Sequence, residues 1–133
     1  MSYIELREKS RYLKEISKGA GKELRDDEIL ACEDFADVYI EGKLGKSWDA
    51  VYPQIIVRIA DMLASAMAWQ YLHSGQTPQQ SEYSDVLRKQ ADDLLNQILD
   101  GELGIKLDDG SWDEDYPGNA NKEDSEGGFE IIL

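Results

Sequence analysis

Few residues in this chain of 133 could do chemistry, and they do not stand together. His73 is the only histidine, and no Cys/His spacing of a metal site accompanies it. It lies at the end of an apolar helical stretch, where the helix dipole favours partial protonation, so its expected role is structural. Cys32 is the single cysteine. It falls on an apolar stripe, which suits a core thiol better than a nucleophile, and it excludes an intramolecular disulfide. The carboxylate pairs Asp92–Asp93 and Asp108–Asp109 could hold a divalent cation weakly. Adjacent helical residues do not converge, however, and Asp108-Asp109-Gly110-Ser111 lacks the rest of a calcium loop. With no glycine-rich phosphate loop either, the chain is expected to be no enzyme, with no catalytic, cofactor-binding or metal-binding residues.

Arg58 and Asp61 are the remaining polar pair of interest. They sit inside AVYPQIIVRIADMLASAMAWQYLH, residues 50 to 73, which is otherwise apolar almost all round. At a spacing of three they can pair on one helix face. The pair is either internal, at the edge of the core, or formed across an interface with a second copy.

The elements that must position these residues are helical. Leu6, Leu13 and Ile16 mark a short amphipathic helix over 4–17, broken by the glycines of KGAG. A second helix begins near Asp26, with acids in its first turn. Its apolar stripe is Ile29, Cys32, Ala36, Tyr39 and Ile40, widened by Phe35, while Glu28, Glu33, Asp34, Asp37 and Glu41 mostly populate the other face. Pro53 fits the first turn of a third helix that runs to His73. That length could span a bilayer, but two central charges would each cost roughly 2 kcal/mol or more in lipid, so a buried central helix is expected and no membrane. Thr77-Pro78-Gln79-Gln80 caps a fourth helix, whose Tyr83, Val86, Leu87, Gln90, Ala91, Leu94, Leu95, Ile98 and Leu99 follow helical spacing. The expected fold is all-α: a bundle of about four helices around a central apolar helix, with an extended C-terminal tail.

The domain division follows from composition. Residues 1–106 read as the helical domain, and 107–133 as an acidic tail whose LDDGSWDEDYPGNANKEDSEGG resembles a disordered linker. Beyond it Phe129, Ile131, Ile132 and Leu133 turn apolar again and are candidate partner-binding residues, adding a strand or filling a groove on another subunit. The net charge of -14, from 28 acidic against 14 basic residues, repels phosphates and anionic membranes on average. The start, MSYIELREKSRYLKE, has no apolar signal region, so the chain is expected to be cytoplasmic at the point of synthesis.

The order of these elements resembles the head–tail connector proteins of tailed bacteriophages, also called adaptors or head-completion proteins. The resemblance rests on ADVYIEGKLG, then a connector and proline, PQIIVRIADMLASAMAWQYL, a turn, and YSDVLRKQADDLLNQILDGELGI, roughly residues 24 to 106. It implies a structural virion protein at the capsid vertex, a homo-oligomeric ring of typically twelve copies. Its implied partners are the portal protein and a tail or tail-terminator (stopper) protein, with DNA passing through without specific binding. The charged N-terminal helix and the long acidic tail depart from the simplest family pattern. A competing reading is an acidic DNA mimic that binds a basic nucleic-acid-binding protein.

Overall fold

The computed structural model describes residues 2–14, 16, 23–48, 52–72, 78–107, 109–116 and 118, with backbone alone at 78–81. Among the described residues four helices follow in order: α1 (Leu6–Lys9), α2 (Asp26–Leu44), α3 (Gln54–Leu72) and α4 (Pro78–Leu99). Among the described residues there is no strand, only an isolated antiparallel bridge between Lys106 and Trp112. The all-α bundle is as expected.

Helix α3 is its centre, packed between α2 and α4 and touched by α1. Every residue from Ile59 to Ala66 is buried, more than two full turns. By length and composition α3 could cross a membrane; here its own chain encloses the stretch from Ile59 to Ala66, while Gln54, Arg58, Gln70 and Tyr71 are exposed. Ala60, Ala64, Ala66 and Ala68 have no solvent exposure and let the flanking backbones come close. Helix α4 lays Ser84, Leu87, Ala91, Leu95 and Ile98 against it. The Ser84 hydroxyl donates to the Ala66 carbonyl at 2.9 Å, so its burial leaves no unmet polar group. Helix α2 contributes Ile29, Cys32, Ala36, Ile40 and Leu44. Each large apolar side chain buried in this way contributes roughly 1.5–3 kcal/mol.

The ends of α2 are fixed locally. The Glu28 carboxylate reaches back to accept the Arg25 N–H at 2.9 Å, meeting one of the first-turn donors. Gly45, at φ 68°, closes the other end and donates to the Glu41 carbonyl at 2.8 Å. Any other residue there would be strained in the left-handed region.

The N-terminal segment departs from expectation. Instead of one helix over 4–17, α1 ends at Ser10, whose backbone is extended (φ -69°, ψ 136°), and helical backbone resumes at Leu13, Lys14 and Ile16. The cause is Asp61. Its buried carboxylate accepts from Ser10 Oγ at 2.6 Å, Arg11 N–H at 2.9 Å and Ser65 Oγ at 3.0 Å. The Ser10 oxygen in turn accepts from the Tyr12 and Leu13 N–H groups at 3.1 and 3.0 Å, capping the turn that follows. Helical spacing predicts none of this, because the partner lies 50 residues away.

Replacing Asp61 with alanine strands three donors in the interior and should lower unfolding stability by roughly 2–4 kcal/mol. Arg58 is exposed and forms no ion pair with Asp61, so Arg58→Ala should change stability by less than about 0.5 kcal/mol. Urea unfolding followed by circular dichroism separates the two; equal effects would restore an Arg58–Asp61 pair.

Candidate functional site

Among the described residues, those whose types could do chemistry are not assembled into a reactive group. Cys32 has no solvent exposure, and burial, with Glu28 and Glu33 nearby, pushes its thiol up to about 12. Asp92 and Asp93 point apart: Asp92 accepts the Tyr39 hydroxyl at 2.5 Å, while Asp93 meets Lys89 at 3.3 Å. Among the described residues no group of three or more His, Cys, Asp or Glu side chains could hold a metal ion. His73 and Asp108 lie outside the described residues, as do Phe129, Ile131, Ile132 and Leu133.

Of the Arg58–Asp61 pair, only Asp61 is structural, and its partners are Ser10, Arg11 and Ser65 rather than the arginine. Asp61 is buried on α3 within its own chain.

The acids of α2 do work that composition hides. The extended residues before α1 run across α2, and three carboxylates receive them. Tyr3 N–H donates to Asp37 Oδ1 at 3.1 Å, Leu6 N–H to Glu33 Oε2 at 2.9 Å, and the Tyr3 hydroxyl to Glu41 Oε2 at 2.5 Å. A strap with few ladder partners of its own thus has its donors met by side chains. The Tyr3 ring is buried edge-on to Tyr52 (centroids 4.8 Å) and Trp48 (6.0 Å), and its hydroxyl oxygen accepts the Trp48 N–H at 3.1 Å. Burial and the Glu41 hydrogen bond hold the phenol well above its ordinary range.

A second cluster adjoins it at the C-terminal end of α2. The described residues of 105–116, of which those from 107 on were expected to begin the acidic tail, fold back as a hairpin. Ile105 N–H donates to the Tyr116 carbonyl at 2.7 Å, Asp113 N–H to the Ile105 carbonyl at 2.8 Å, and Leu107 N–H to the Ser111 carbonyl at 2.8 Å. At its tip Asp109 accepts from the backbone and hydroxyl of Ser111, a turn in which Gly110 takes φ 90°. Asp113 is buried beneath the hairpin and accepts from Lys46 Nζ at 2.7 Å and Trp48 Nε1 at 3.3 Å. The Tyr116 hydroxyl donates to the Leu44 carbonyl, meeting an open acceptor at the end of α2. The folded body therefore continues past residue 107, at least to Tyr116. DDG turn chemistry was the available signal; the Lys46 partner, 67 positions away, was not.

The remaining surface is notable for apolar residues left in solvent. Leu30 and Val38 on α2 are 58% and 68% exposed, and Val86 and Leu99 on α4 are 50% and 45% exposed. Helical spacing on α4 had placed Tyr83, Val86, Gln90 and Leu99 with the core stripe; all four are exposed. Compared with family models, curated proteins and solved structures, the chain matches none.

Two carboxylates should report pH in opposite senses. Burial alone would raise Asp113, but hydrogen bonds from Lys46, the Asp115 N–H and Trp48 bring it below its ordinary 3.8. Its contribution is present above that value and is lost as pH falls through the lower folded value. Asp37 is raised by burial, which the Tyr3 N–H only partly offsets. Its contribution is present below 3.8 and is lost as pH rises through the higher folded value. At pH 7, Asp113→Asn should therefore destabilise, whereas Asp37→Asn should be neutral or stabilising. Thermal unfolding at pH 7 checks this, and the same sign for both variants would refute it.

Proposed function

We propose that the chain is a non-enzymatic structural subunit of a tailed-phage virion, a head–tail connector that forms a ring between the portal and the tail. The observation that carries the reading is the exposure of large apolar side chains on two different helices, Leu30 and Val38 on α2 and Val86 and Leu99 on α4. A subunit in a closed ring uses two different faces, each meeting the other kind on its neighbour. The helix order that resembles the connector family supports the same reading. So does the net charge of -14, since an acidic ring leaves a passing duplex ungripped. The all-round apolarity of α3 lends no support, because this chain alone encloses the stretch from Ile59 to Ala66.

In this reading DNA crosses the ring without specific contact, no cofactor is needed, and the partners are further copies of the chain, a portal and a tail protein. Phe129, Ile131, Ile132 and Leu133 serve as an anchor on a neighbouring protein. The DNA-mimic reading loses some of its material, since Glu33, Asp61 and Asp113 are buried and spent on internal hydrogen bonds.

Native mass spectrometry of the purified chain, alone and mixed with portal-bearing capsids lacking it, tests the proposal. The expected result is a multi-copy assembly on capsids, weakened when residues 119–133 are removed. A strict monomer that never associates with capsids would end the reading.

A further inference from the structure

The apolar surface of α2 is a shallow depression lined by Ala31, Asp34, Phe35, Val38 and Tyr39. Four of the five are apolar or aromatic. At its edge the Arg88 guanidinium of α4 lies 5.5 Å from the Phe35 ring centroid and 5.8 Å from that of Tyr39. Among the described residues Arg88 forms no ion pair, and its charge acts on the Tyr39 hydroxyl. The site therefore offers an apolar floor and a cation beside it.

The chain carries a segment of matching chemistry. Phe129-Glu130-Ile131-Ile132-Leu133 has four apolar residues around a single carboxylate. Where the described chain leaves the body also matters. Tyr116 is tied to Leu44 at the end of α2, and Gly118, at φ 79°, packs so closely on Gly104 that a Cβ would come within 2.6 Å of its nitrogen. Ten residues lie between Gly118 and Phe129. The eleven Cα steps between them span about 17–20 Å on average when coiled, and at most roughly 36–40 Å when extended. Along α2, Val38 and Ala31 lie about 9 and 20 Å from Leu44, whose carbonyl accepts the Tyr116 hydroxyl. The depression is within the extended reach of the tether, and tethering makes the docking intramolecular.

We propose that residues 129–133 dock in the α2 depression of their own chain, with the apolar side chains over Phe35 and Val38 and Glu130 paired with Arg88. The free subunit thereby covers exposed apolar residues of α2. Assembly of the ring would trade this contact for a neighbour, but the docking stands without the ring, and its test reads neither ring formation nor capsid binding.

The experiment uses the full chain with a nitroxide at Ser125→Cys; Cys32, without solvent exposure, does not compete for the label. In nitrogen-15 spectra the amide signals of Ala31, Asp34 and Val38 should lose most of their intensity, while those of Arg7 and Lys9 in α1, next to Leu6 on Glu33 at the other side of α2, keep theirs. Val38→Asp, at a position 68% exposed and so harmless to the core, should restore the signals, and so should Ile131→Asp. Unbroadened α2 signals, or broadening that survives both substitutions, would overturn the proposal. A mixture of isotope-labelled chain without nitroxide and unlabelled chain with it should show no broadening; broadening there would mean that the segment docks on a second copy instead.

Discussion

The structure depends on side-chain carboxylates that serve as acceptors for backbone donors. Residues 2–11 form only one turn of helix, so most of their N–H groups have no ladder. Glu33, Asp37 and Asp61 take the donors of Leu6, Tyr3 and Arg11 at 2.9–3.1 Å. A carboxylate accepting an N–H makes a charge-assisted bond, stronger than its neutral equivalent, and burial lowers the local dielectric further. The strap can then bury Tyr3, Ile4 and Leu6 across α2. Without the acceptors, those amides would carry a desolvation cost comparable to the gain from the side chains.

The same principle fixes the far side of the molecule. Lys46, Trp48, Asp113 and Tyr116 bind the hairpin to the end of α2, and Tyr3 shares Trp48 with them. Strap, connector and hairpin thus converge on one helix terminus, where the Tyr116 hydroxyl meets the Leu44 carbonyl. Surface ion pairs such as Arg7–Asp26 and Lys89–Asp93 add little by comparison, since solvent screens them. A large negative charge therefore coexists with a compact fold in part because several acids are spent internally.

The helices were legible because periodicity is local. The start of α2 at Asp26, the proline-led start of α3 and the fourth helix all follow from spacing, caps and breakers within a few residues. What periodicity missed is non-local. Glu33, Asp37 and Glu41 read as a solvated face because their partners lie 27 to 38 positions earlier. Asp61 read as half of an i,i+3 ion pair because Arg58 was its nearest cation in sequence. Residues 107–116 read as linker because composition counts charges without pairing them. On α4 the stripe was drawn too wide, since spacing alone cannot say how far around a helix the core extends. The exposed apolar side chains that support the connector reading became visible only once burial was known.

Amide hydrogen exchange is the most direct measure of the carboxylate-held strap. The Leu6 and Arg11 amides, accepted by Glu33 and Asp61, should exchange as slowly as the amides of Leu63 and Ala64 in the centre of α3, because strap and core open together. Exchange at the rate of an unstructured chain at Leu6 and Arg11, with α3 still protected, would show that the carboxylates do not hold the strap.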